Sequence, residues 1–284
     1  MDTRTGSIRG ARQAAADTDF WRGLARAVAG ALLFGLPVFM TMEMWWLGFA
    51  IRPVRLALFL ALSLPLLACL SYLAGFRHDA GWLDALVDGL VAWLVGAVTA
   101  ALALALFGAL SPGMSLPEIA GKVILLSVPA GIGAALASSQ LGTDRDDQDD
   151  DRHQSYGGEL FLMLAGAVYF AFNIAPTDEV PLIAIRQTSP WVAMVLVLAS
   201  LLVLHGFVYG VGFRGGHGVR PGRKAIGELL GLTLPGYVIA LLASAYVLWT
   251  FGRLEGLHFA AMLHVVLVLA LPASVGAAAA RLIL

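Results

Sequence analysis

The chain has 284 residues, 59% of them apolar and only 13% charged, and its mean hydropathy is +0.82. A soluble domain carries roughly 25% charged residues, so this composition excludes an ordinary water-facing globule and calls for a polytopic membrane protein. A net charge of −1 argues against nucleic acid as a partner, and a single cysteine, Cys69, excludes an internal disulfide and a cysteine-built metal cage.

The first twenty residues are largely polar, and the apolar run behind them has full spanning length without a small-residue cleavage site. It reads as a retained span rather than a signal peptide. Eight apolar segments follow in order, each near the 20 residues a bilayer requires. They cover about 25–49, 54–76, 83–109 and 117–140, then 159–184, 190–213, 225–250 and 257–282. Between the fourth and fifth lies a polar, strongly acidic stretch from Gly142, expected to be disordered. The expected organisation is a cytoplasmic segment 1–22, a four-helix unit 23–141, an acidic linker 142–157 and a second four-helix unit 158–284.

The two units are copies. Placing Ala29-Gly30-Ala31 on Ala165-Gly166-Ala167 sets Phe34 on Phe170, Thr41 on Thr177 and Glu43 on Glu179, all at an offset of 136. Tyr72-Leu-Ala-Gly-Phe-Arg77 resembles Tyr209-Gly-Val-Gly-Phe-Arg214, and Phe107-Gly-Ala-Leu110 resembles Phe251-Gly-Arg-Leu254. Pro129-Ala-Gly-Ile-Gly-Ala-Ala resembles Pro272-Ala-Ser-Val-Gly-Ala-Ala. Four matches in one order are not chance, although glycine and alanine are abundant.

With the N-terminus inside, 13 of the 18 Lys and Arg fall on the inner side, so both termini are expected in the cytoplasm. Four spans per copy is an even number, which gives both copies one orientation. The expected fold is therefore an all-α polytopic membrane protein, eight transmembrane helices forming two parallel four-helix repeats about an axis along the membrane normal. Glu43 then stands about 25 Å above Arg26, in the outer third of the core, level with Glu179.

A carboxylate at that depth is costly unless it is paired or meets water or an ion. Glu43 and Glu179 are thus the leading candidates for a cation site, helped by Thr41, Thr177, Asp178 and Asn173. Pro176 and Pro181 remove backbone donors, so the fifth span is expected to break near Ala175, as ion-coordinating helices of transporters do. The plain alternatives are ion pairs of Glu43 with Arg52 and Glu179 with Arg186, and a solvated loop for Asp178. Asp84 falls on Glu228 near the cytoplasmic end; the pair would line an inner mouth, or each would simply favour the positive start of its helix.

Trp45, Trp46, Tyr169 and Trp191 suit the outer interface and Trp82 the inner one. Gly30, Gly35, Gly131, Gly133 and Gly276 suit close helix packing. His205, His258 and His264 lie in the second copy alone, as packing histidines or, on a third reading, haem ligands of a redox subunit. No hydrolase, metalloprotease or phosphate-loop motif is present, so neither catalysis nor a cofactor is expected.

Thr41-Met-Glu-Met-Trp-Trp-Leu-Gly48 and Asn173-Ile-Ala-Pro-Thr-Asp-Glu179 together resemble a bacterial family of integral membrane proteins classed as a domain of unknown function, from about Trp21 onward. The resemblance implies a bacterial inner-membrane address and carries no activity to transfer. The functional expectation is a cation channel or a cation- or proton-coupled carrier, with the lipid bilayer, a cation or small solute, and a second copy of the chain as partners. A non-transporting scaffold held by ion pairs is the competing class.

Overall fold

A computed structural model describes residues 3–74, 81–140, 155–186, 189–207 and 225–283. Among these residues every regular element is a helix. The acidic linker lies almost wholly outside the described residues, as does the second copy of the Tyr72–Arg77 motif. In chain order the helices are α1 (Thr3–Phe39), α2 (Met42–Ala50), α3 (Pro53–Ala74), α4 (Trp82–Leu106) and α5 (Leu116–Gln140). The second half holds α6 (Tyr156–Ile174), α7 (Glu179–Arg186), α8 (Pro190–His205) and α9 (Ala225–Glu228). A π segment, Leu229–Thr233, then leads into α10 (Leu234–Thr250), and α11 (Phe259–Ile283) closes the chain.

Among the described residues, seven stretches are long and apolar enough to cross a membrane: Phe20–Phe39, Pro53–Leu73, Trp82–Leu106, Leu116–Ala137, Tyr156–Ile174, Ile226–Thr250 and Phe259–Ala280. The eighth expected span, 190–213, is described only as far as residue 207, and its helix Pro190–His205 is shorter. One boundary also differs from expectation, and a second breaks as expected near Ala175. The span expected over 25–49 ends at Phe39 and restarts as the nine-residue α2. That over 159–184 ends at Ile174 and restarts as α7. In the second, Pro176 supplies the reason, since it removes an N–H that a continuous helix would need; in the first, α1 runs through Pro37 and stops where Thr41 turns extended.

Each half is built around its last helix. In the first, α5 carries α1, α2, α3 and α4; in the second, α11 carries α6, α7, α8 and α10. The spanning stretch of α5 is 72% buried, whereas no other exceeds 44%; those others leave broad apolar faces for hydrocarbon. Glycine sets the closest contacts. A Cβ on Gly30 would strike the carbonyl oxygen of Gly133 and the methyl of Ala137; one on Gly166 would strike the carbonyl of Gly276 and the methyl of Ala280. Both contacts join residues that the internal repeat places in register.

The halves meet through α3, α6 and α10, and α6 also meets α1 and α5. Phe59 of α3 stacks on Phe172 of α6 at 5.3 Å between ring centres, and Phe251 meets Phe172 edge-on at 5.2 Å. Phe59 is 2% exposed and Phe172 1%, so this aromatic column is core.

Candidate functional site

The duplicated Thr-x-Glu motif forms the turn between a spanning helix and the short helix after it. In the first copy, Thr41 takes an extended conformation (φ −89°, ψ 112°) and becomes the N-cap of α2. A helix ends with carbonyls that lack partners, and inside a membrane these must be satisfied by protein. Here the Thr41 hydroxyl donates to the Pro37 carbonyl at 2.7 Å, and the Trp45 indole N–H donates to the Phe39 carbonyl at 2.7 Å. Met44 and Leu47 are buried, and Gly48 lets α2 approach Gly121 and Lys122 of α5 closely.

The second copy fastens its turn with other groups. Asn173 donates from its amide to the Tyr169 carbonyl at 2.7 Å, and the Thr177 hydroxyl donates to the Ile174 carbonyl at 2.9 Å. Arg253, from the turn between α10 and α11, reaches across to donate to the Pro176 carbonyl. Its other nitrogen donates to the Asp178 carboxylate at 2.8 Å. Asp178 is exposed as the loop reading expects, yet it is also ion-paired.

Glu43 is half-buried and Glu179 exposed, each in the first turn of its short helix. Among the described residues neither makes a hydrogen bond or an ion pair. The alternative pairings with Arg52 and Arg186 are not formed; Arg52 instead lies 3.6 Å from Glu255. Arg55 binds the same carboxylate at 2.7 Å while its guanidinium sits 5.0 Å above the Trp249 ring. These contacts tie the start of α3 in one half to the α10–α11 turn of the other.

At the opposite end the two acids differ. Asp84 is exposed and accepts the Gly81 N–H at 3.0 Å, closing the first turn of α4. Glu228 is buried, 4% exposed, where α9 meets the π segment. Of the second-half histidines, His205 hydrogen-bonds Thr233 through Nδ1 at 2.9 Å and His264 bonds the Ala260 carbonyl at 2.8 Å. Among the described residues no three His, Cys, Asp or Glu side chains gather to hold a metal.

Between the halves lies an apolar cavity of about 340 Å³, lined by α1, α5, α6 and α11. Its walls repeat: Gly30 and Phe34 on one side, Gly166 and Phe170 on the other. Where α1 has Leu33, α6 has Tyr169, whose hydroxyl donates to the Phe34 carbonyl at 2.9 Å and bridges the halves.

Residues 23–284 match the model of the family described as "Putative integral membrane protein (DUF2391)". The chain belongs to this family. No curated protein and no solved structure matches it. Membership fixes the membrane class over nearly the whole chain of this DUF2391 protein and assigns no residue a role.

In this DUF2391 chain, sequence reasoning overlooked three groups that hold the site. Arg253 is one, and its partner lies 75 residues away. Lys122 is another; it is buried, 6% exposed, with Nζ 3.1 Å from the Ala109 carbonyl and 3.6 Å from Glu118. Glu118 at i and Lys122 at i+4 was the available signal for that pair. Tyr169 reads as an interface anchor but acts as an inter-half bond, which its unlike equivalent Leu33 could have suggested.

Proposed function

We propose that the protein moves cations across the bacterial inner membrane, binding them at Glu43 and Glu179 near the outer end of the interface between two four-span halves. One observation carries this reading. Within the duplicated turn, Thr41, Asn173, Thr177 and Asp178 all have bonding partners, while the two glutamates have none among the described residues. A carboxylate at the membrane without a fixed partner is suited to an exchangeable cation. Thr41, Thr177, Asn173 and Asp178 then shape the turn that presents each glutamate.

The same-way arrangement of the halves is supported by the Arg55–Glu255 pair and the Arg253–Asp178 pair, which bring the start of α3, the end of α6 and the α10–α11 turn to one end. The Lys/Arg bias places that end outside and both termini in the cytoplasm. Asp84 and Glu228 belong to the inner mouth, with Asp84 also closing its own helix. A second copy of the chain would bring four Thr-x-Glu turns together.

The scaffold reading has an observation of its own: both glutamates lie in first turns, where the helix dipole favours an anion without any ligand. Flux of Na+, K+ or Mg2+ into proteoliposomes separates the two. Transport requires flux well above empty vesicles, lowered at least tenfold by Glu43→Gln with Glu179→Gln at unchanged thermal stability. Wild-type vesicles no leakier than empty ones, with a variant that melts earlier, assign the carboxylates to the scaffold instead.

A further inference from the structure

We infer that the cavity between the halves is a binding site for one acyl chain of a membrane phospholipid. This inference is independent of the cation reading. The cavity lies against the middle of the spanning stretches Phe20–Phe39 and Tyr156–Ile174, at Gly30 and Gly166, and against the C-terminal thirds of α5 and α11. At that depth the surrounding medium is hydrocarbon. Leu33, 71% exposed, stands at the rim on the lipid-facing side of α1.

The space is fixed by the structure around it. Gly30 already touches the Gly133 backbone, and Gly166 the Gly276 backbone, so neither helix pair can close further. Across the gap, the Tyr169 hydroxyl holds the Phe34 carbonyl, with the two rings edge-on at 5.2 Å. The walls are aliphatic and aromatic, and the one polar side chain among them is occupied by that bond. An ordered water needs two to four polar partners, which the walls do not offer. A polar or charged ligand would likewise leave its own groups unsatisfied. A volume of about 340 Å³ falls in the range of small-molecule sites and far exceeds one water. A chain entering sideways past Leu33 satisfies depth, shape and chemistry together.

The test is native mass spectrometry of the purified full chain after a delipidating detergent wash. Wild type is expected to retain one phospholipid per chain, and so is Leu102→Phe, altered on the exposed face of α4. Ala279→Phe, which fills the cavity, is expected to lower that occupancy at least tenfold while eluting as a single species. A photo-crosslinking residue in place of Leu136, in native membranes, reads the same site without relying on that variant, and an acyl-lipid adduct is expected. Lipid-free wild type, undiminished lipid on Ala279→Phe, or a Leu136 adduct to a second copy of the chain each overturns the assignment.

Discussion

Trp45 and Trp46 stand side by side and do different work. Trp46 is 61% exposed, as an interfacial anchor should be. Trp45 is half-buried and gives its indole N–H to the Phe39 carbonyl, the last residue of α1. Composition places both at the membrane surface and cannot tell them apart, because the distinguishing fact is a helix end six residues back. Trp45→Phe keeps the ring and removes the donor, so the expected cost is about 1 kcal/mol, the usual net value of one hydrogen bond. Trp46→Phe should stay within about 0.5 kcal/mol, as surface changes do. Thermal unfolding in one lipid–detergent mixture compares them directly, and equal losses would remove the capping role. Arg253 makes a related case at the second turn. Arg253→Lys keeps the charge but loses the fork that spans the Pro176 carbonyl and Asp178. It should destabilise by about 1–3 kcal/mol through the carbonyl left bare, and an unchanged melting temperature would show that the contact is dispensable.

At the scale of elements, what could be read from sequence was what repeats. The break near Ala175 was visible because prolines punctuate the chain there, and α6 does end at Ile174. The matching break after Phe39 was hidden, since Pro37 sits in an otherwise continuous apolar run and the extended Thr41 carries no local signal. Glycine roles were legible as a class but not individually. Gly30 faces backbone that a methyl cannot displace, whereas nothing lies within 4 Å of a Cβ on Gly23 in the same helix. Gly30→Ala and Gly166→Ala are therefore each expected to cost about 1–3 kcal/mol by overpacking. Gly23→Ala should be neutral or stabilise by up to about 1 kcal/mol through helix propensity. Destabilisation by Gly23→Ala, or tolerance of Gly30→Ala, would contradict the contact geometry.

The copies also diverge at one packed position, which no single stretch reveals. A Cβ on Gly89 would lie 2.7 Å from Ala68 Cα, so α3 and α4 touch there through small residues. The equivalent residues are His205 and Thr233, bonded at 2.9 Å, and the helix carrying Thr233 widens into the Leu229–Thr233 π segment. No residue is inserted, since Asp84 to Phe107 and Glu228 to Phe251 are equally long; the wider turn accompanies the larger side chains.

For the molecule as a whole, hydropathy and length were enough to settle the membrane class, since lipid leaves few other solutions for so apolar a chain. How the halves are joined was not legible, because the joining residues come from loops and helix starts far apart in sequence. Arg55 shows what the join is worth. Its side chain is 12% exposed, with Glu255 at 2.7 Å and Trp249 beneath it, while Glu255 is 48% exposed. A half-exposed pair contributes about 0.2–1 kcal/mol, and the guanidinium over an indole adds roughly 0.5–2 kcal/mol. Arg55→Ala should therefore cost more than Glu255→Gln. The coupling in the double variant should lie under about 1 kcal/mol and weaken with salt, as a partly exposed pair does. Arg52, farther from Glu255 and 70% exposed, should contribute almost nothing. The ordering Arg55 above Glu255 above Arg52 follows only if α3 of one half rests on the α10–α11 turn of the other. Equal effects from the three substitutions would mean that the halves are held elsewhere, with the stacked Phe59 and Phe172 the next place to cut.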